Sequence, residues 1–205
     1  MIVIIDYGMG NVGSILNMLK SIHTEAIISS KISEIRKAEK IILPGVGAFD
    51  YAVKNLNKLG MIEPLNEVVI DKKIPILGIC LGMQLLTKKS EEGTLKGLGW
   101  IDAETIRFRF DKNSSLKVPH MGWNEVQITQ TNPLFKDMYP DPRFYFVHSY
   151  YVKCNNDKNI MTTTKYGSDF TSSLVKENIL GVQFHPEKSH KFGKLLLKNF
   201  VELIP

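Results

Sequence analysis

The stretch Gly78-Ile79-Cys80-Leu81-Gly82-Met83-Gln84 constrains this chain more than any other. A cysteine stands between two glycines, directly after the apolar run Ile74-Pro75-Ile76-Leu77 and directly before the helix-like segment Leu81 to Lys88. That order reads as a strand, a sharp turn and a helix with the cysteine at the turn, the arrangement of a nucleophile elbow built for sulfur. Gly78 and Gly82 have no side chains, so the strand and helix can approach closely, and the thiol is held outward in a backbone conformation that most residues resist. The helix N-terminus turns free N–H groups and its positive end toward the sulfur, which favours thiolate. A lone cysteine reads first as a buried core residue. The flanking glycines and the junction argue for a reactive one.

A second motif supplies what a thiolate needs. Near the C-terminus the chain reads Gly181-Val182-Gln183-Phe184-His185-Pro186-Glu187-Lys188. A thiolate nucleophile needs an imidazole to hold and move its proton, and the imidazole needs an orienting carboxylate. In an extended segment, residues two apart face the same way, so His185 and Glu187 can form base and orienter from one short stretch. Pro186 stiffens the link and argues against a helix there.

The rest of the pattern places these motifs on a fold. Ile2–Ile5, Ala26–Ser29, Lys40–Leu43 and Ile76–Ile79 read as strands. Val12–Ile22 has apolar residues at helical spacing, and 48–73 holds one or two helices broken near Gly60 and Pro64. Such alternation implies a parallel sheet flanked by helices. The second half changes character: 97–129, 143–153, 160–166, 170–175 and 179–184 read as strands joined by turns, before a final helix over about 189–203. The expectation is one α/β domain spanning 1–205, a mixed sheet with a parallel core and a more antiparallel C-terminal half. The length of 205 residues suits one domain with a sizeable core.

Several function classes recede. Gly8-Met9-Gly10-Asn11-Val12-Gly13 has dinucleotide-fingerprint spacing, but the second strand ends in Ser29-Ser30 with no acid to hold a ribose, and Glu25 lies at its wrong end. His185, Glu187 and His190 have no further ligands at recognisable spacing, so no metal is expected. The net charge of +5 comes from scattered lysines without a basic, aromatic-interleaved stripe, which argues against nucleic acid. Met1 to Asp6 reads as a first strand and not a signal peptide, and no run approaches a membrane span. Of the two cysteines, Cys80 must stay reduced to act, which fits the cytoplasm, and Cys154 is an incidental thiol beside a polar loop.

Together the cysteine and histidine motifs resemble the class I (triad) glutamine amidotransferase family. Asp6-Tyr7-Gly8-Met9-Gly10-Asn11, Pro119-His120-Met121-Gly122-Trp123-Asn124 and Phe144-Tyr145-Phe146-Val147-His148-Ser149-Tyr150-Tyr151 narrow the likeness to the glutaminase subunits of imidazole glycerol phosphate synthases. The resemblance runs over the whole sequence. It implies that Cys80, His185 and Glu187 form a triad that hydrolyses the side-chain amide of glutamine without a cofactor. Leu81 N–H would be one oxyanion donor by elbow geometry. Pro44-Gly45-Val46-Gly47-Ala48-Phe49 resembles the family's oxyanion strand, with Gly45 or Val46 as the second donor. Gln84, one helical turn after Cys80, and Gly47, His148, Ser149 and Tyr150 would bind the substrate. Asn11, Trp123 and Lys188 match positions on the partner side. The partner implied is a (β/α)₈ cyclase that receives the ammonia, and the glutaminase is nearly idle until that partner binds its own nucleotide substrate. Phe170-Thr171-Ser172-Ser173 and Lys188-Ser189-His190-Lys191-Phe192-Gly193 look more like paralogues that feed a sugar amidotransferase in surface-polysaccharide synthesis, so both pathways stay open at this point.

Overall fold

The computed structural model describes residues 1–111 and 113–205. Lys112, inside the 97–129 stretch, lies outside the described residues. The four early strands form where the sequence puts them: β1 (Ile2–Ile5), β2 (Ala26–Ser29), β3 (Lys40–Leu43) and β4 (Ile76–Ile79). The later strands are β5 (Ala103–Arg107), β6 (His120–Glu125), β7 (Gln127–Ile128), β8 (Arg143–His148), β9 (Tyr150–Cys154), β10 (Ile160–Tyr166), β11 (Ser168–Lys176) and β12 (Ile179–Val182). Among the described residues the main sheet runs in the order β2-β1-β3-β4-β12-β11-β10-β7, with β9 joined to β11 and β5 to β9. Every pairing from β2 to β12 is parallel. Every pairing beyond β12 is antiparallel. β6 and β8 form a separate antiparallel ribbon.

The parallel strands are apolar at nearly every position because both of their faces are covered. Val3 and Ile5 of β1 face one core with Ile41, Leu43 and Ile76, packed under α3 (Phe49–Lys58) and α4 (Ile62–Asn66). Ile2 and Ile4 face the other with Ile42, Leu77 and Ile79, packed under α1 (Val12–Ser21) and α6 (His190–Leu203). Each such aliphatic side chain contributes about 1.5–3 kcal/mol on burial.

Three local readings are corrected. Pro64 does not break a helix: it lies in the first turn of α4, where no backbone donor is needed. The segment Glu67–Asp71 continues as a π-helix. A short helix, α2 (Ile32–Ile35), goes unforeseen, because one turn gives no usable periodicity. The helix after Cys80, α5, covers only Leu81–Leu85 and not Leu81 to Lys88. Its last carbonyls turn instead to the chain that returns at Leu98 and Ile101.

The close approach behind the elbow is severe. A Cβ on Gly82 would overlap the Leu43 carbonyl oxygen at the end of β3, and one on Gly78 would fall 2.8 Å from the Gly82 backbone. Both obstacles are main chain and cannot turn aside. Gly82→Ala is therefore expected to destabilise the fold by about 3 kcal/mol, read as a lower urea midpoint at unchanged slope. A midpoint equal to wild type would mean that α5 can move off β3 freely.

Candidate active site

Three neighbouring parallel strands, β3, β4 and β12, end on the same edge. β3 runs into Pro44-Gly45, β4 into Cys80 and β12 into Gln183-Phe184-His185. Cys80 takes φ +55 and ψ −110, a conformation costly for a residue with a side chain. The backbone is held there by Cys80 N–H donating to the Val182 carbonyl at 2.8 Å. The side chain opens onto a cavity of about 320 Å³ lined by Val46, Gly47, Leu81, Glu92, Pro119, residues 147–150 and His185. A larger hollow of about 500 Å³ between Ile128 and Leu203 has no cysteine, histidine or carboxylate among its described lining residues.

His185 and Glu187 meet as a pair. His185 Nδ1 donates to Glu187 Oε1 at 2.8 Å, and both side chains are almost wholly buried. The expected route was an extended strand. Instead Pro186–Lys188 forms a 3₁₀ turn with Pro186 in its first position, and the turn folds the carboxylate back onto the ring. The backbone around the ring is pinned by His185 N–H to the Tyr145 carbonyl at 2.9 Å and Ser189 Oγ to the His185 carbonyl at 2.6 Å. His185 Nε2 is buried, and no group closes a hydrogen bond on it. Burial by itself would depress the imidazole. The Cys80 sulfur and the Glu187 carboxylate on either side more than offset this and push it up to about 10. Both neighbours thus favour the charged ring.

The expected contribution of the helix end is smaller, since α5 is five residues long and a short helix carries little dipole. The Leu81 N–H is already engaged, donating to the Gly45 carbonyl at 3.4 Å. Gly45 cannot carry a side chain, because a Cβ there would sit 2.7 Å from the Tyr7 hydroxyl and 2.8 Å from Leu81 Cβ. Gly47 takes φ +100, and Val46 is exposed. Tyr7 went unremarked in the sequence as a site residue. Its hydroxyl donates to the Pro44 carbonyl at 2.7 Å, and burial, aided by the Cys80 charge, raises it so that it stays a neutral donor.

Of the substrate-binding candidates, Gly47, His148, Ser149 and Tyr150 line the cavity. Gln84 does not: it is buried, and its Nε2 donates to the Tyr150 carbonyl at 3.0 Å and to Gln183 Oε1 at 3.1 Å. His148 lends a wall but no free ring nitrogen. Its Nδ1 donates to the Tyr150 carbonyl at 2.7 Å, and its Nε2 meets His120 Nδ1 at 3.0 Å. Burial pushes His120 down to about 4 and His148 down to about 3, so both rings are neutral at pH 7. Glu92, also missed in the sequence, brings a carboxylate to the cavity and accepts the Phe49 N–H at 3.0 Å.

Outside the cavity, Trp123 is exposed and stacks on His190 at 5.5 Å and 2°. Its edge meets Tyr145, over which Lys188 places its ammonium at 5.6 Å. Asn11 precedes α1, which packs against the Pro186–Lys188 turn. Cys154 ends β9 away from the cavity, and burial pushes its thiol up to about 11, leaving it protonated.

A family model described as glutamine amidotransferase class-I matches residues 3–203. Imidazole glycerol phosphate synthase subunit HisH 2 of Methanococcus maripaludis is 56% identical over 202 residues, 98% of this chain and 99% of the relative. The subunit HisH 2 of Pseudomonas aeruginosa is 49% identical over 204 residues, 100% of both chains. Among solved structures, PurLQS of Thermotoga maritima superposes with a TM-score of 0.70 at 17% identity, over 100% of this chain and 98% of that one. The glutaminase domain of Trypanosoma brucei CTPS gives 0.65 at 16%, over 100% and 96%.

The two causes that raise His185 can be separated. Cys80→Ser takes the sulfur away and leaves burial opposed chiefly by Glu187, so the ring's titration midpoint moves down from about 10. Imidazole NMR of the variant and wild type reads this directly. An unmoved midpoint would mean that the sulfur does not act on the ring.

Proposed function

This chain belongs to the class-I glutamine amidotransferase family, and we propose from that premise that it is the glutamine-hydrolysing subunit of an imidazole glycerol phosphate synthase. The observation that carries the reading is a cysteine at positive φ sharing one cavity with a buried, carboxylate-oriented histidine. Full-length relatives at 49–56% identity named as that subunit support the pathway, histidine biosynthesis. Among the described residues no helix is long and apolar enough to cross a membrane, and a reduced nucleophilic thiol suits the cytoplasm.

In this reading the Cys80 thiolate attacks the δ-carbonyl carbon of glutamine and forms the C–S bond. The carbonyl electron pair moves to oxygen. As the tetrahedral adduct collapses, the C–N bond breaks and His185 Nε2 gives its proton to the leaving nitrogen, releasing ammonia. The neutral ring then takes a proton from water, whose oxygen attacks the thioester. Collapse expels the thiolate and leaves glutamate. Glu187 keeps Nδ1 protonated and stabilises the imidazolium. Glu92 faces the cavity as the carboxylate suited to the α-ammonium of the substrate.

The oxyanion donors are not both free. The peptide joining Gly45 and Val46 turns its oxygen to Leu81 N–H. Rotating that one peptide withdraws the oxygen, frees Leu81 N–H and brings Val46 N–H inward, so Val46 and not Gly45 is the second donor. An oxyanion donor is worth about 2.7–4 kcal/mol, or ~100–1000-fold in rate. Binding of a (β/α)₈ cyclase over Asn11, Trp123 and Lys188 would favour the rotated state, with ammonia passing into the barrel.

Glutamate release by the isolated chain should be low and rise about 100-fold or more with the cyclase and its nucleotide substrate. Full activity alone, unchanged by any barrel, would overturn the gated reading, and stimulation only by a sugar-amidotransferase assembly would overturn the pathway. Cys80→Ala should abolish glutamine hydrolysis while the complex still uses ammonium. Surviving hydrolysis would remove Cys80 as nucleophile. Trp123→Ala should weaken association about 10-fold or more, since large aromatics anchor interfaces. Calorimetric titration with the cyclase checks it, and unchanged affinity would take Trp123 off the interface.

A further inference from the structure

The reaction set out above leaves one buried polar side chain beside the nucleophile without a task. Gln183 is fully buried, its Nε2 donates to Cys80 Sγ at 3.7 Å, and its Oε1 accepts from Gln84 Nε2 at 3.1 Å. The network fixes which end of each carboxamide is nitrogen. The Tyr150 carbonyl can only accept, so the Gln84 group that meets it at 3.0 Å is the amine. The same nitrogen reaches Gln183, so the Gln183 atom it meets is oxygen. Only the Gln183 amine is then left for the sulfur. A flip of either amide would set two acceptors or two donors against each other.

The backbone is fixed as firmly. Gln183 N–H donates to the Ser172 carbonyl at 2.9 Å, and the preceding carbonyl, of Val182, takes the Cys80 N–H at 2.8 Å. The two residues are tied across neighbouring strands. Two buried carboxamides are a costly way to fill a core that aliphatic side chains could fill.

We propose that Gln183 is a sulfur-positioning residue: its amide N–H holds the Cys80 thiolate toward the cavity, and Gln84 locks the carboxamide in the orientation that does so. The inference rests on Cys80 being the nucleophile. When the C–S bond forms, the sulfur's charge goes to the new bond and the N–H contact weakens. When water's adduct collapses, the C–S electron pair returns to sulfur and the N–H takes up that charge. Gln183 therefore helps most where thiolate is the leaving group, in breakdown of the thioester. It also fills a role that the short α5 cannot, a donor aimed at the sulfur.

Gln183→Met keeps the length and apolar volume and removes the donor. Alkylation of Cys80 by iodoacetamide at pH 7, followed by mass spectrometry, needs neither glutamine nor partner and is expected to slow about 5-fold. In the complex with the cyclase, kcat for glutamine should fall about 10–100-fold with KM within about 2-fold, as for a hydrogen bond to a charged group. The melting temperature should stay near wild type. Gln84→Met, which lets the carboxamide turn, should slow both rates in the same direction by less, and it carries the test if Gln183→Met does not fold. Wild-type alkylation and kcat in a folded Gln183→Met would overturn the proposal, as would a loss of kcat with alkylation unchanged, which would mark a purely structural role. These results differ from a failure of the nucleophile assignment, in which Cys80→Ala itself would retain hydrolysis.

Discussion

The parallel pairing of β4 with β12 is the constraint on which the site depends. In register, Ile79 lies beside Val182, so the residues that follow, Cys80 on one strand and Gln183 to His185 on the other, emerge together. The strands are about a hundred positions apart in the chain, and nothing local brings them together. What fixes the register is the burial of both faces: Leu77, Ile79, Leu180 and Val182 enter one core, while Ile76 and Ile179 enter the other. A one-residue slip would exchange the two sets and separate sulfur from imidazole. Strand β3 on the other side of β4 adds the Pro44–Ala48 turn at the same edge, where open parallel sheets place their ligands.

Within this frame three imidazoles meet opposite fates. His120 and His148 are driven down by burial because each ring has only neutral partners, a second imidazole, a carboxamide or a carbonyl. His185 is equally enclosed, yet lies between a sulfur and a carboxylate and is driven up. Burial penalises charge in all three, and only an opposite charge at contact distance reverses the sign. The neutral pair therefore builds a wall next to the one ring of the three whose neighbours favour its charge.

The first four strands were legible to the residue, since runs such as Ile2–Ile5 and Ile76–Ile79 stand between polar breaks and have no competing period. The elbow was legible as well, because glycine, cysteine and glycine at that spacing are a local geometric statement. What the sequence hid was non-local. Gln84 sits one helical turn from Cys80, which suggested a ligand, but its partners Tyr150 and Gln183 are far along the chain and turn its amide away from the cavity. Gln183 lay inside a motif already in view and escaped notice because a carboxamide states no chemistry until its neighbours are known. Glu92 and Tyr7 escaped for the same reason. The Pro186 turn was read as extended because a proline excludes a helix interior but is welcome in the first position of a 3₁₀ turn.

Cys80, His185 and Glu187 come together in the chain by itself, and in the proposed reaction the part that is not ready is the peptide between Gly45 and Val46. Its resting contact with Leu81 is long, 3.4 Å, so leaving it costs no more than about 0.5–1.5 kcal/mol. The neighbouring peptide is secured much better, by Tyr7 on the Pro44 carbonyl at 2.7 Å. Rotation is thus confined to one unit, bounded by an anchored Pro44 and by Gly47 at positive φ. In the proposed gating, a weakly held peptide next to a tightly held one is the switch, and it is within a partner's reach because Val46 is exposed and lines the cavity. The control then needs no rearrangement of the triad. It asks only that contacts made on the exposed side of this turn outweigh one stretched hydrogen bond, while the His185–Glu187 contact stays as it is.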